Sequence, residues 1–237
     1  LNTFKLVNGD TDSIMFCRKD GSSFTEIDRH RLLDSINSQT DVNIVWTDDR
    51  YYSDVIIVKS KNYLLKDAET GKVTIKGSAL LASMKEPALR QFIKDILYAL
   101  LEDHNADIST IYLSYVRSIN AIGDEEIGRW ASKKTITKAV LTSPRTNESR
   151  VRDAIKRAEV TLQEGDKIYT FFKDDETIEL VSQFDGTYDK SRLYEKLFKT
   201  VKVFETILDI KKFPNFKLKK NEGLLEEVCN VQSAMVV

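Results

Sequence analysis

The apolar residues Phe4, Leu6 and Val7, and then Ile14, Phe16 and Cys17, flank the string Gly9-Asp10-Thr11-Asp12-Ser13. Glycine accepts backbone angles that other residues avoid, and an Asp side chain bonds backbone a residue or two away, so this string favours a tight turn. The apolar runs on either side have strand length. A β-hairpin is therefore predicted, with strands over 1–8 and 13–18 and two carboxylates at its tip. Two acids two residues apart in extended chain share a face, and at a hairpin tip they converge on one small volume. Such a pair repels itself unless a cation neutralises it. Hard oxygen donors with no His or Cys beside them suit Mg²⁺, which keeps waters and takes substrate phosphates as further ligands. The competing reading is a polar turn in which each Asp bonds local backbone. From the two acids alone the polar turn is the better reading.

The pattern beyond the hairpin has two characters. Thr25 can cap a helix running to about Gln39, with Ile27, Leu32, Leu33 and Ile36 on one face. A short strand is predicted over 42–46, strand-rich chain over 51–65, a turn over 67–71 and a returning strand over 73–75. After Gly77 the apolar period lengthens. Glu86-Pro87 opens a helix with Pro at its first position, and Leu89, Phe92, Ile93, Ile96, Leu97, Leu100 and Leu101 follow at three-and-four spacing. Helices are predicted over 108–122, 127–130, 150–162 and 189–210, with a small strand pair over 166–173 and 177–181. The fold class is α+β, with a mixed domain over 1–84 and a mainly helical one over 85–237.

Composition bounds the partners. The 237 residues hold 36 Lys and Arg against 37 Asp and Glu, a net charge of -1. That excludes a globally basic nucleic-acid binder but not a locally basic face. Cys17 and Cys229 lie far apart, which excludes a disulfide-dense scaffold and suits a reducing, intracellular compartment. With two His and no paired spacing, a structural zinc site is not expected. No apolar run reaches the ~20 residues of a membrane-spanning helix, so no membrane partner is expected. The first residue is Leu1, not Met, and the chain reads as cut or split from something longer.

The complete string Gly9-Asp10-Thr11-Asp12-Ser13 is far more specific than its two acids. Flanked by apolar strands, it resembles the third polymerase motif of family B DNA polymerases. Further along, Lys61-Asn62-Tyr63 resembles the family's Lys-x-Tyr motif, and Lys72-Val73-Thr74-Ile75-Lys76-Gly77 its lysine-glycine strand. Ser132-Lys133-Lys134-Thr135-Ile136-Thr137-Lys138 is similar to the thumb segment preceding the duplex-gripping helices. The likeness runs from the first residue to about Asn221, with its sharpest motifs in the first third. The family usually has Tyr where this chain has Asn8.

The resemblance implies an antiparallel palm fragment over 1–84 and a thumb over 85–237. It implies templated addition of deoxynucleotides (from dNTP) to a primer 3′ end with two Mg²⁺ ions. Asp12 is then the first ligand of both metals and Asp10 the second, in a structural or water-mediated role. Lys61, Tyr63, Lys76 and Gly77 would hold primer-template duplex. A Lys on such a strand can reach base-edge acceptors common to all base pairs while Tyr packs on sugar or bonds phosphate, which gives grip without sequence choice. Two basic stretches add to this: 211–220, with Phe213 and Phe216 among five Lys, and the group Arg145, Arg150, Arg152, Lys156 and Arg157. Both stretches also read as ordinary solvated faces.

A family B site further needs an upstream Asp and an upstream nucleotide-binding helix, and neither motif is recognisable. Asp107-Ile108-Ser109-Thr110-Ile111-Tyr112 echoes the first, but it falls in a predicted helix and is set aside. The missing parts would belong to an upstream polymerase segment, in the same or a separate chain. The hairpin strands would then lack neighbours, leaving an unfinished sheet and exposed apolar surface. Two readings of other classes stay open: a duplex-binding clamp module with no catalytic duty, and a metal-dependent nuclease. The nuclease would need further convergent acids, and Asp20, Glu26 and Asp28 lack that spacing.

Overall fold

The computed structural model describes residues 3–10, 12–77, 80–81, 84–142 and 144–230. The chain divides into two compact units, Leu1–Lys76 and Gly77–Val237. Both mix helices with antiparallel sheet, so the α+β class holds.

The first unit starts with the predicted hairpin. Strands β1 (Phe4–Gly9) and β2 (Ile14–Arg18) pair antiparallel, Leu6 opposite Phe16 and Gly9 opposite Ile14, with an irregularity between Leu6 and Asn8. Among the described residues these two strands form a sheet by themselves. Leu6 is 56% exposed and Phe16 only partly buried, as expected for a sheet without neighbours. Helix α1 (Glu26–Asn37) starts where Thr25 predicts. The Thr25 side chain accepts from the Asp28 amide and Asp28 reaches back to Thr25, so two of the orphan donors at the helix start are satisfied. Its apolar face is weaker than the spacing suggests: Leu32 is buried while Ile27 is exposed.

The strand predicted over 42–46 does not form. Val42 is 92% exposed. The Trp46 amide donates to the Asn37 side chain at 2.8 Å, and the Asn37 amide returns a bond to the Trp46 carbonyl. Asp41 meanwhile folds onto the Asn43 amide. Side chains of Asn and Asp thus take the backbone groups that a strand ladder needs.

The chain over 51–65 is two strands. β3 (Tyr52–Lys59) and β4 (Asn62–Asp67) pair antiparallel, and β5 (Val73–Lys76) completes a three-stranded sheet in the order β3-β4-β5. Asp67 caps the β4–β5 turn by accepting from Thr70 and Glu69 amides.

The second unit is built on α2 (Pro87–Glu102), with Pro87 in its first turn, and α3 (Ile108–Asn120). Phe92, Ile93, Ile96, Leu97, Val116 and Ile119 are fully buried. Asp107 is the N-cap of α3, accepting from the Ser109 amide, which accounts for the Asp set aside above. The short α4 (Ile127–Trp130) buries Trp130. Strand β6 (Ser132–Thr135) joins β7 (Lys167–Phe172) and β8 (Ile178–Leu180) in an antiparallel sheet of order β6-β7-β8, one strand more than the predicted pair. Beside it, α5 (Lys138–Thr142) and α6 (Thr146–Arg157) close a second apolar cluster from Ile136, Val140, Val151, Ala154, Ile168 and Leu180.

Two predicted helices are shorter than their patterns. The basic helix covers Thr146–Arg157 instead of 150–162, because Glu159 turns to φ 54° and breaks the right-handed run. α7 (Lys190–Val201) covers half of 189–210. The chain then tightens into a 3-10 turn over Lys202–Phe204, which brings Phe204 wholly inside. The last helix, α8 (Glu222–Asn230), places the Val228 carbonyl against Arg117 of α3.

Candidate nucleic-acid interface

The tip of the first hairpin is closed by the Asp10 amide, which donates to the Ser13 carbonyl at 2.8 Å. Asp10 therefore lies at the closed end of the hairpin, and Asp12 is exposed. Thr11 lies outside the described residues. The Asp10 side chain, 30% exposed, faces the Lys61 ammonium at 3.0 Å.

Lys61 does not stand on a strand beside Tyr63, as the Lys-x-Tyr reading supposes. Ser60 and Lys61 form the connection between Lys59 and Asn62, which pair across it. Lys61 has φ 60°, in the left-handed region. Tight hairpin connections commonly place a residue in that region, and here the Lys takes it. Tyr63 belongs to β4. Its partner on β5 is Lys76, so these two side chains are direct cross-strand neighbours and share a face. The sequence separates them by a turn and gives no sign of the pairing; the register supplies it. Lys59, on which the motif is silent, is brought to the same hairpin end through its pairing with Asn62. Gly77 follows with φ 109°, an angle that side chains rarely tolerate, so glycine is required to let the chain leave β5.

The carboxylates of the hairpin tip are hard oxygen donors, which fit an Mg²⁺ ion in kind. By themselves they make up only part of a ligand set. Among the described residues no group of three or more His, Cys, Asp or Glu is placed to hold a metal. Asp12 offers one exposed carboxylate, and Asp10 already has a cation beside it.

In the second unit the arginines of the basic group are largely engaged with the protein itself. Arg157 donates to Glu179 at 3.1 Å and to the Ile178 carbonyl. Arg152 donates to the Leu141 carbonyl, and Arg150 approaches the Asp175 carbonyl. Phe213 and Phe216 are buried. They pack on Tyr112, with ring centroids at 5.4 and 6.5 Å, so they are core residues and not stacking platforms for bases. Lys133 and Lys134 alternate along β6, Lys133 exposed and Lys134 half-buried. Burial pulls the Lys134 ammonium below its usual range; Glu148 pushes it back up and Lys85 adds to the fall.

Taken together, these elements define an α+β chain of two units with an acidic hairpin tip and a lysine-bearing sheet end. No family model and no curated protein matches the sequence. Its fold is similar to a solved family B DNA polymerase from the hyperthermophilic archaeon Pyrobaculum calidifontis, with a TM-score of 0.62 at 14% identity. The match covers 87% of this chain and 27% of that one, so the chain spans about a quarter of its neighbour's length.

Proposed function

We propose that the chain is the C-terminal part of a family B DNA polymerase, 1–84 completing the palm and 85–237 forming the thumb. The observation that carries this is the coincidence of two independent signs. The Asp10-Thr11-Asp12 hairpin resembles the family motif in sequence, and 87% of the chain resembles a family B polymerase in fold.

In this reading Asp12 holds the metal ions, with Asp10 beside it, and further carboxylates come from an upstream polymerase segment. Bound Mg²⁺ would supply charge stabilisation for transfer of a deoxynucleotide to the primer end. This chain's own work is to present the Asp12 carboxylate on a closed hairpin and to hold primer-template duplex. Lys61, Tyr63 and Lys76 meet the duplex at the end of the β3-β4-β5 sheet, and Lys133 of β6 adds a backbone contact from the thumb. Exposed Leu6, Ile44 and Val45 suit a sheet and loop that another segment covers.

Mixing this chain with the missing polymerase segment, on a primed template with dNTP and Mg²⁺, tests the reading. Templated extension is expected from the mixture and not from this chain alone. Cleavage of DNA by the chain alone would favour a nuclease instead.

A further inference from the structure

Lys61 occupies a backbone conformation that suits Gly or Asn better than Lys, at φ 60° in the connection between β3 and β4. A residue held where its backbone is disfavoured invites a search for what its side chain does. The Lys61 Nζ reaches Asp10 Oδ1 at 3.0 Å, and so ties the tip of the β3–β4 hairpin to the tip of the β1–β2 hairpin, two separate sheets. The Lys61 side chain nevertheless remains 69% exposed. An ammonium carries three donors, so one can be directed at Asp10 while the group stays open to an approaching acceptor.

We propose that Asp10 is a positioning residue for duplex binding: its carboxylate aims the Lys61 ammonium at the nucleic acid from the end of the β3–β4 hairpin. The proposal rests on the duplex-binding reading above and gives Asp10 a duty separable from that of Asp12. Its logic is one of sign. An acid close to DNA repels phosphate, so removing it should tighten binding if it does nothing else. An acid that holds a gripping lysine in place has the opposite effect when removed. A mere staple between hairpins would leave binding unchanged so long as both hairpins stay folded.

The test is duplex affinity of the whole chain, measured by fluorescence anisotropy of a labelled primer-template in EDTA over a range of salt concentrations. The variants are Asp10→Asn, Asp10→Glu, Lys61→Asn and the double variant Asp10→Asn with Lys61→Asn. Asn suits the left-handed turn, so Lys61→Asn removes the charge without straining the backbone. Each single Asn variant should weaken binding by about three- to tenfold, the range for losing one typical solvent-accessible hydrogen bond. Each should also lower the salt slope by about one phosphate contact. The double variant should be no weaker than Lys61→Asn alone, and Asp10→Glu should recover most of the affinity. Near-UV circular dichroism identifies any variant that has lost its fold. Equal or tighter binding by folded Asp10→Asn, with Lys61→Asn weakened, overturns the positioning role and leaves the duplex reading standing. If Asp10→Asn fails to fold, unchanged affinity in Lys61→Asn overturns the proposal. A parent chain with no salt-sensitive duplex binding overturns both readings together.

Discussion

The Tyr112 hydroxyl donates to the Pro214 carbonyl at 2.8 Å, joining α3 to a segment 102 residues further along. The bond fixes the lysine-rich stretch to the helical core. Phe213 meets the Tyr112 ring edge-on, and Phe216 packs against both Tyr112 and Tyr194. The stretch is thus a strap over the core, with its aromatics facing in and Lys211, Lys212, Lys217 and Lys220 exposed.

Substitutions at this strap should therefore show up as stability. Tyr112→Phe leaves the Pro214 carbonyl without that donor and should cost about 1–2 kcal/mol. Phe216→Ala opens a cavity and should cost roughly 3–5 kcal/mol. Urea unfolding of the chain measures both. A loss under about 0.5 kcal/mol for Phe216→Ala would mean a solvent-facing ring.

Glu86 gives the second unit a pH signature. Its carboxylate is buried between Lys196 and Ser132. Burial would raise its affinity for a proton, but the Lys196 charge and the hydrogen bonds from Lys196 and Ser132 outweigh that, and the group lies below its usual 4.5. The unfolded chain then binds the proton first as pH falls, so this contribution is complete above the unfolded value and is lost as pH drops through the lower folded one. Relative to Glu86→Gln, the parent should hold its advantage from neutral pH down to about 5 and lose it progressively below 4.5. Urea midpoints of the two proteins from pH 7 to pH 2 provide the check; a constant difference across that range would contradict the assignment. Lys196→Met should be worse than Glu86→Gln at neutral pH, by about 3 kcal/mol against the parent, since it strands a buried carboxylate.

Arg157 separates structural from DNA-facing charge. Its guanidinium spans Glu179 and the Ile178 carbonyl at the edge of β8. Arg157→Gln should destabilise the chain by about 1–2 kcal/mol and leave the salt slope of duplex binding unchanged. A fall of one in that slope, with stability intact, would instead make Arg157 a phosphate contact.

Asp12 is the residue on which catalysis should depend. With the upstream segment supplied and extension restored, Asp12→Asn should lower the extension rate by about 100-fold or more, because charge stabilisation is lost at the reacting phosphate. Duplex affinity should stay near the parent value, since the carboxylate grips no DNA. Equal loss of affinity in Asp12→Asn and Lys61→Asn, with no rate effect at saturating DNA, would remove Asp12 from the metal site.

Local chemistry settles much of this protein. Thr25 and Asp28 cap a helix because a hydroxyl and a carboxylate at that spacing satisfy each other's backbone. Pro87 opens α2, and the apolar period behind it buries one face, because both effects act within a few residues. The hairpin around Asp10 and Asp12 is legible for the same reason: its turn chemistry and flanking strands are contiguous. Tertiary structure decided what contiguous chain cannot. Val42 to Trp46 has strand-like residues, yet Asn37, nine positions before Trp46, takes the Trp46 backbone groups and leaves no ladder. β6 is too short and too basic to announce itself, and it exists because β7 offers it a row of partners. Phe213 and Phe216 sit among lysines in sequence, and only the rings of Tyr112 and Tyr194 make them core. The pairing of Tyr63 with Lys76, and the reach of Lys61 to Asp10, follow from strand register and from a left-handed turn. The sequence determined which side chains carry charge and apolar surface and where the chain turns. Which of them meet across the fold was decided by packing, because long-range pairing is set by the competition of many burial and backbone-pairing choices at once and not by any one residue's neighbours.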